Sequence, residues 1–269
     1  MKPIIVLISL AILPLHEVRS QYNTNRLIIS GQSALFYEDY VLSIQYFNQA
    51  LAAKPYLYEP WFYRGLAKFY LDDYTGSEAD VTRAIELNPY IYNMFELRGL
   101  CRIRQKRYAQ AIDDYTRSIN LNPQNQTAWY NRALCRVEDK DYAQAQLDLD
   151  TVVTRWQSYA SAYSLKAQVY LLQTDTLTAD KWLDKCLKVA PYDVDAWNMR
   201  GMIALSRAEW KNADTYLSKV IHLKPKNAAN YVNRALARYN INNLRGAMAD
   251  YDTALDFDPN NFLAHYNRG

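Results

Sequence analysis

Trp61-Phe62-Tyr63-Arg64-Gly65, Trp129-Tyr130-Asn131-Arg132-Ala133 and Trp197-Asn198-Met199-Arg200-Gly201 are one phrase written three times, at intervals of 68 residues, or twice 34. Six of the nine prolines, Pro55, Pro89, Pro123, Pro191, Pro225 and Pro259, fall on the same 34-residue ruler, whose missing tick is Gln157. Five of the seven glycines, Gly31, Gly65, Gly99, Gly201 and Gly269, mark a second ruler, and Ala133, Ala167 and Ala235 fill its other ticks. A period of this length signals an array of stacked units that bury apolar surface only against their neighbours. The function of such a chain is expected on its surface.

With Thr24 as position 1, seven units of 34 residues run over 24–261 without an insertion, and an eighth occupies 262–269. Position 4 is Leu27, Trp61, Phe95, Trp129, Tyr163, Trp197, Tyr231 and His265, a mostly aromatic opening to each first helix. Position 20 is always small, from Ser43 and Ser77 to Ala247. Small residues at 8 and 20 let two helices approach closely, and the larger residue at 24, such as Phe47, Tyr115 or Leu217, fills the space they leave. Proline at 32 is expected to end the second helix, because it lacks an N–H and clashes with the preceding turn.

This pattern at positions 4, 8, 20, 24, 27 and 32 resembles the tetratricopeptide repeat over residues 24–269. The resemblance implies an all-α fold, a tetratricopeptide-repeat α-solenoid in which antiparallel helix pairs wind a right-handed superhelix and first helices line a concave groove. The chain departs from the family at positions 7 and 11, usually leucine and tyrosine. Position 7 carries Arg64, Arg98, Arg132, Lys166, Arg200, Arg234 and Arg268, and position 11 carries Lys68, Arg102, Arg136 and Arg238. Repeats with both bases have aspartate at position 23, namely Asp80, Asp114, Asp148 and Asp250, whereas repeats five and six have Trp182 and Tyr216 there. Charges that come and go together point to ion pairs inside the repeats rather than to a basic ribbon for an anionic partner. At the join of repeats four and five, Gln157 replaces proline and Val152 replaces a small residue. There the second helix is expected to run past Trp156 and the packing to loosen.

Positions 2, 5, 6, 9, 12 and 13 share one face of each first helix by their spacing. In the family that face is the groove, and asparagine at position 6 there resembles a group that donates to and accepts from a peptide backbone. Asn131, Asn233 and Asn267 hold that position, and Phe62, Tyr63, Tyr130, Leu134, Asn198 and Leu236 stand around them. These nine residues are the candidate peptide-binding set. The chaperone-type carboxylate clamp of the family needs lysine at position 5, where this chain has none.

His16, His222 and His265 are scattered, and no phosphate loop or metal-binding motif is present, so neither catalytic residues nor a cofactor is expected. The 31 Lys and Arg nearly match 28 Asp and Glu, for a net charge of +3, which argues against nucleic acid as a partner. Lys2, the apolar run over 4–15 and the small-residue site Val18-Arg19-Ser20 read as a signal peptide over 1–20. The run is too short to span a bilayer, so an exported protein, periplasmic or secreted, is expected. Cys101, Cys135 and Cys186 lack metal-type spacing and are expected to be buried small residues, and Asn125-Gln126-Thr127 forms a glycosylation triplet. The functional expectation is a non-catalytic scaffold binding a peptide or protein. The alternative is the docking or sensory arm of a longer enzyme or signalling protein, suggested by a last repeat that stops at position 8.

Overall fold

The computed structural model describes residues 15–268, so most of the expected signal peptide and Gly269 lie outside the described residues. Fifteen helices and no strands occur among them. The chain divides into two compact units, Met1–Cys135 and Arg136–Gly269. The first holds α1 (Leu15–Phe36), α2 (Tyr40–Ala53), α3 (Tyr58–Tyr70), α4 (Tyr74–Leu87), α5 (Tyr92–Arg104), α6 (Tyr108–Leu121) and most of α7 (Gln126–Glu138). The second holds α8 (Tyr142–Arg155), α9 (Ala160–Leu172), α10 (Thr176–Val189), α11 (Val194–Ser206), α12 (Trp210–Leu223), α13 (Ala228–Asn240), α14 (Leu244–Phe257) and α15 (Phe262–Arg268). The helix α1 passes through Val18-Arg19-Ser20, the tripeptide expected to precede cleavage.

Each first helix is joined to its second by a short turn built the same way every time. The residue at position 15 takes a left-handed backbone, with φ between 56° and 64°, in Glu38, Asp72, Lys106, Lys140, Thr174, Ala208 and Asn242. The next N–H then reaches back five residues, as from Asp73 to the Lys68 carbonyl at 3.0 Å and from Asp175 to that of Tyr170 at 2.9 Å. This closure satisfies carbonyls that the helix end leaves open. The residue at position 16 also starts the second helix, and the carboxylates of Asp39, Asp73, Asp141 and Asp175 accept a backbone N–H from its first turn.

The pair then closes over the small residues. A Cβ built on Gly65 would lie 2.7 Å from Val81 Cγ2, one on Gly99 3.0 Å from the Tyr115 ring, and one on Gly201 2.9 Å from Leu217 Cδ2. In these glycine-bearing repeats, positions 8 and 24 therefore touch at a distance that leaves no room for a side chain at position 8 unless its partner shifts. The large partners, Val81, Tyr115, Leu183 and Leu217 among them, are fully buried. Burial of a leucine or valine side chain contributes roughly 1.5–3 kcal/mol each. The core is accordingly a string of small clusters, such as Val81, Ala84, Met94 and Cys101 across α4 and α5, or Ala167, Leu183, Ala196 and Ile203 across α9 to α11.

The second helices end at position 30, and here the structure corrects the sequence-based expectation. The helix α8 stops at Arg155 and has 14 residues like the others, although Gln157 stands where proline was expected to be the stop. Trp156 leaves the helix at φ −126° and ψ 73° and donates its N–H to the Val152 carbonyl, as the residues at position 31 of other repeats do. A second contact explains the common stop. Indole Nε1 of Trp61, Trp129 and Trp197 donates to the carbonyls of Pro55, Pro123 and Pro191 at 2.9, 3.1 and 2.8 Å. The Tyr163 hydroxyl donates in the same way to the carbonyl of Gln157 at 3.0 Å. The carbonyl at position 32 is the anchored group, and any residue supplies it. Val152 is fully buried, yet α8 meets α9 less closely than α2 meets α3 or α4 meets α5, so the looser packing expected at this join is present.

Candidate functional site

The bases at positions 7 and 11 face inward. Arg64 forks onto Asp80 with Nε and Nη2 at 2.8 and 2.6 Å, and Lys68 reaches the same carboxylate at 2.8 Å. Arg98 and Arg102 share Asp114, and Arg234 and Arg238 share Asp250. Fork-on-carboxylate geometry gives directional, charge-assisted bonds. Where position 23 is aromatic the base lies over the ring instead: Lys166 Nζ is 4.2 Å from the centre of Trp182, and Arg200 lies 5.1 Å from that of Tyr216. These bases are committed within the fold and leave no basic ribbon on this face.

The same bases also tie each repeat to the one before it. Arg64 donates to Asn48 Oδ1 at 2.7 Å, Arg132 to Thr116 at 3.0 Å, Arg234 to Ser218 at 3.1 Å and Arg268 to Asp252 at 2.9 Å, each 16 residues back. Lys166 pairs with Asp150 at that spacing.

Desolvation and pairing compete at the carboxylates. Burial lifts Asp114, whose side chain is 2% exposed, above its ordinary value despite Arg98 and Arg102. Glu78 is 13% exposed; burial again pushes its carboxyl up, but the bonds from Arg102, Gln105 and Arg107 prevail and hold it below its ordinary value. Burial raises the Cys101 thiol to about 11 and that of Cys186 to about 12. All three cysteines are free and buried. In the triplet at Asn125 the side-chain nitrogen, the atom a glycan would take, donates to Glu96 Oε1, while the oxygen accepts the Thr127 N–H at 3.0 Å.

The candidate peptide-binding residues divide between the units: Phe62, Tyr63, Tyr130, Asn131 and Leu134 in the first, Asn198, Asn233, Leu236 and Asn267 in the second. Position 6 proves to be part of the seam between repeats. Tyr63 stacks on Phe47 at position 24 of the preceding repeat, centres 5.9 Å apart and planes 17° from parallel. Leu97 and Leu165, at position 6, are buried, as is Val137 at position 12, so these are not groove residues. Asn131 stands beside the buried hydroxyl of Tyr115, and Asn267 beside that of Tyr251, the residues at position 24 one repeat earlier. Asn233 follows Leu217, which has no hydroxyl, and its amide donates to Met202 Sδ at 3.5 Å. Its oxygen has no partner among the described residues. Asn198 is half-buried one helical turn before Met202, while Leu236 and Asn267 are exposed.

Two adjoining cavities lie between α1 and α3. The larger, of about 470 Å³, is bordered by Gln32, Glu38, Tyr40, Tyr63, Leu66 and Tyr70. The smaller, of about 320 Å³, is bordered by Asn25, Ile28, Ile29, Gln32, Leu57 and Glu59. Gln32 is common to both. One wall of the larger cavity is the Tyr40–Tyr70 stack, with centres 5.0 Å apart. Of their lining only Tyr63 belongs to the sequence-derived set. The signal was present as an excess of apolar residues in the first repeat, Ile28, Ile29, Leu35 and Phe36, but a reading by repeat position averages that excess away.

Family models described as TPR or tetratricopeptide repeat match residues 63–126, 160–193 and 237–269. The second match coincides with the fifth 34-residue unit. A tetratricopeptide repeat protein from Parabacteroides merdae is similar in structure at a TM-score of 0.70 and 17% identity, over 92% of this chain and 98% of that one. The C-terminal part of a repeat-containing protein from Cytophaga hutchinsonii is similar at a TM-score of 0.72 and 18% identity, over 90% and 99%. PilF of Pseudomonas aeruginosa is similar at 0.66 and 13%, over 82% and 99%. No curated protein sequence matches the chain.

Proposed function

Because the chain belongs to the tetratricopeptide-repeat family, a family of protein-interaction scaffolds, we propose that it binds an extended segment of a partner protein along the first-helix face, beginning between α1 and α3. The observation that carries this reading is the pair of cavities joined at Gln32, together large enough for successive side chains of one peptide. Their tyrosines supply anchors of the kind that dominate interface energies. Asn233, whose amide oxygen has no partner among the described residues, is a separate candidate contact within the second unit. Peptides selected from a displayed library on the parent protein are expected to bind Gln32→Ala/Tyr70→Ala roughly tenfold more weakly, a change of about 1.4 kcal/mol. Selected peptides that bind this variant as tightly as the parent would move the site elsewhere.

We also propose that the scaffold is exported, on the strength of Lys2, the apolar run over 4–15 and Val18-Arg19-Ser20. N-terminal sequencing of protein recovered outside the cytoplasm is expected to begin at Gln21, and recovery of the chain from the cytoplasm beginning at Met1 would refute it. Among the described residues, no helix is long and apolar enough to cross a membrane.

A further inference from the structure

The charges around the two cavities are of one sign. Among the described residues, Glu38 is the only carboxylate bordering the larger cavity and Glu59 the only one bordering the smaller, and neither cavity is bordered by lysine or arginine. The bases of α3 are engaged elsewhere, Arg64 and Lys68 both on Asp80. Rings make up much of the larger cavity: the Tyr40–Tyr70 stack, Tyr63, and Phe36, which is 80% exposed. Aromatic faces beside a carboxylate attract a cation, and a guanidinium more than an ammonium, because it is planar and sheds water more easily. A long aliphatic stem packs on apolar wall while its charged head reaches the rim. Tyr40 senses the same field: partial burial and the Glu38 carboxylate together raise its hydroxyl above its ordinary value.

Resting on the peptide-binding reading, we propose that the cavity between α1 and α3 is an arginine subsite, taking an arginine side chain of the partner segment with its stem against Tyr70 and Leu66 and its guanidinium toward Glu38. The neighbouring cavity, walled by Ile28, Ile29 and Leu57, takes an apolar residue of the same segment. The partner is thus recognised by an arginine next to an apolar residue, not by a terminal carboxylate.

The test uses three acetylated, amidated peptides of alanine and glycine with a central Arg, Leu or Glu, titrated against the whole chain by chemical-shift changes of the tyrosine rings. The Arg peptide is expected to bind about tenfold more tightly than the Leu peptide at low salt and to lose this advantage as salt is added. Glu38→Gln should remove the preference, and Glu38→Lys should transfer it to the Glu peptide. Lysine is tolerated at this backbone position, since Lys106 and Lys140 occupy its counterparts. Equal binding of the Arg and Leu peptides, or an order unchanged by Glu38→Lys, would overturn the subsite. If library-selected peptides still depended on Gln32 and Tyr70, the peptide-binding reading would survive that failure.

Discussion

Repeats two and three close the space between their helices with charge, and repeats five and six close the same space with rings. In α3 to α6, two bases converge on one buried aspartate, Arg64 and Lys68 on Asp80, Arg98 and Arg102 on Asp114. In α9 to α12, Trp182 and Tyr216 replace the aspartate, position 11 is Tyr170 or Ala204, and the position-7 base lies over the ring, joined at Trp182 by Lys185. The base at position 7 persists in both regions. Its bond to the preceding repeat explains why: Arg98 reaches Thr82, and Lys166 reaches Asp150, whether or not aspartate stands at position 23. The forward partner changes from carboxylate to ring, while a polar partner behind is kept in both regions.

The largest expected effect comes from breaking the charged version. Asp114→Ala leaves the half-buried guanidiniums of Arg98 and Arg102 without the carboxylate they share and should cost about 3 kcal/mol in chemical denaturation. Rebuilding the site as repeat six, with Arg102→Ala and Asp114→Tyr together, should recover most of that loss. A double variant no more stable than the single would show that the two chemistries are not interchangeable. Next in size, Gly99→Leu and Gly201→Leu test what the regions share. Each drives a side chain into Tyr115 or Leu217 and should destabilise by roughly 1–3 kcal/mol. A loss confined to one region would mean that only that region has the close seam.

Smaller gains are expected at the turns. Thr174→Gly removes a β-branched residue from a left-handed backbone and should raise stability by about 1 kcal/mol, as should Lys106→Gly in the charged region. Unchanged melting temperatures would indicate that the turns carry no strain. The smallest effect concerns pH. Since Glu78 is held below its ordinary value, it binds protons less readily folded than unfolded. The stability it contributes is full above the unfolded value, near 4.5, and is lost as pH falls through the lower folded value. Glu78→Gln should flatten that acid limb in urea titrations, and an identical limb in the variant would show that it arises elsewhere.

Much of the fold was legible because the chain repeats its own experiment. Covariation between position 23 and position 11 within one sequence exposed the ion pairs, since a solvated face has no reason to lose base and acid together. Helix register was legible for the same reason: small and large residues meet at fixed separations. The helix stop was misread at Gln157 because the anchored group is a backbone carbonyl, which every residue possesses. The left-handed turn left no mark, since none of its seven residues is glycine. The asparagines were legible only as a spacing. What each meets depends on the residue at position 24 of the repeat before, a tyrosine for Asn131 and Asn267 and a leucine for Asn233.

The position-7 base gives each unit a thermodynamic consequence. Arg234 holds Ser218 in the repeat behind it, and Arg268 of the following unit holds Asp252 on α14, so melting one helix pair also strips bonds from those on either side. Nearest-neighbour coupling of this kind penalises a boundary between ordered and disordered repeats. Amides within a unit should then exchange with solvent in blocks of several repeats, with little fraying of single pairs.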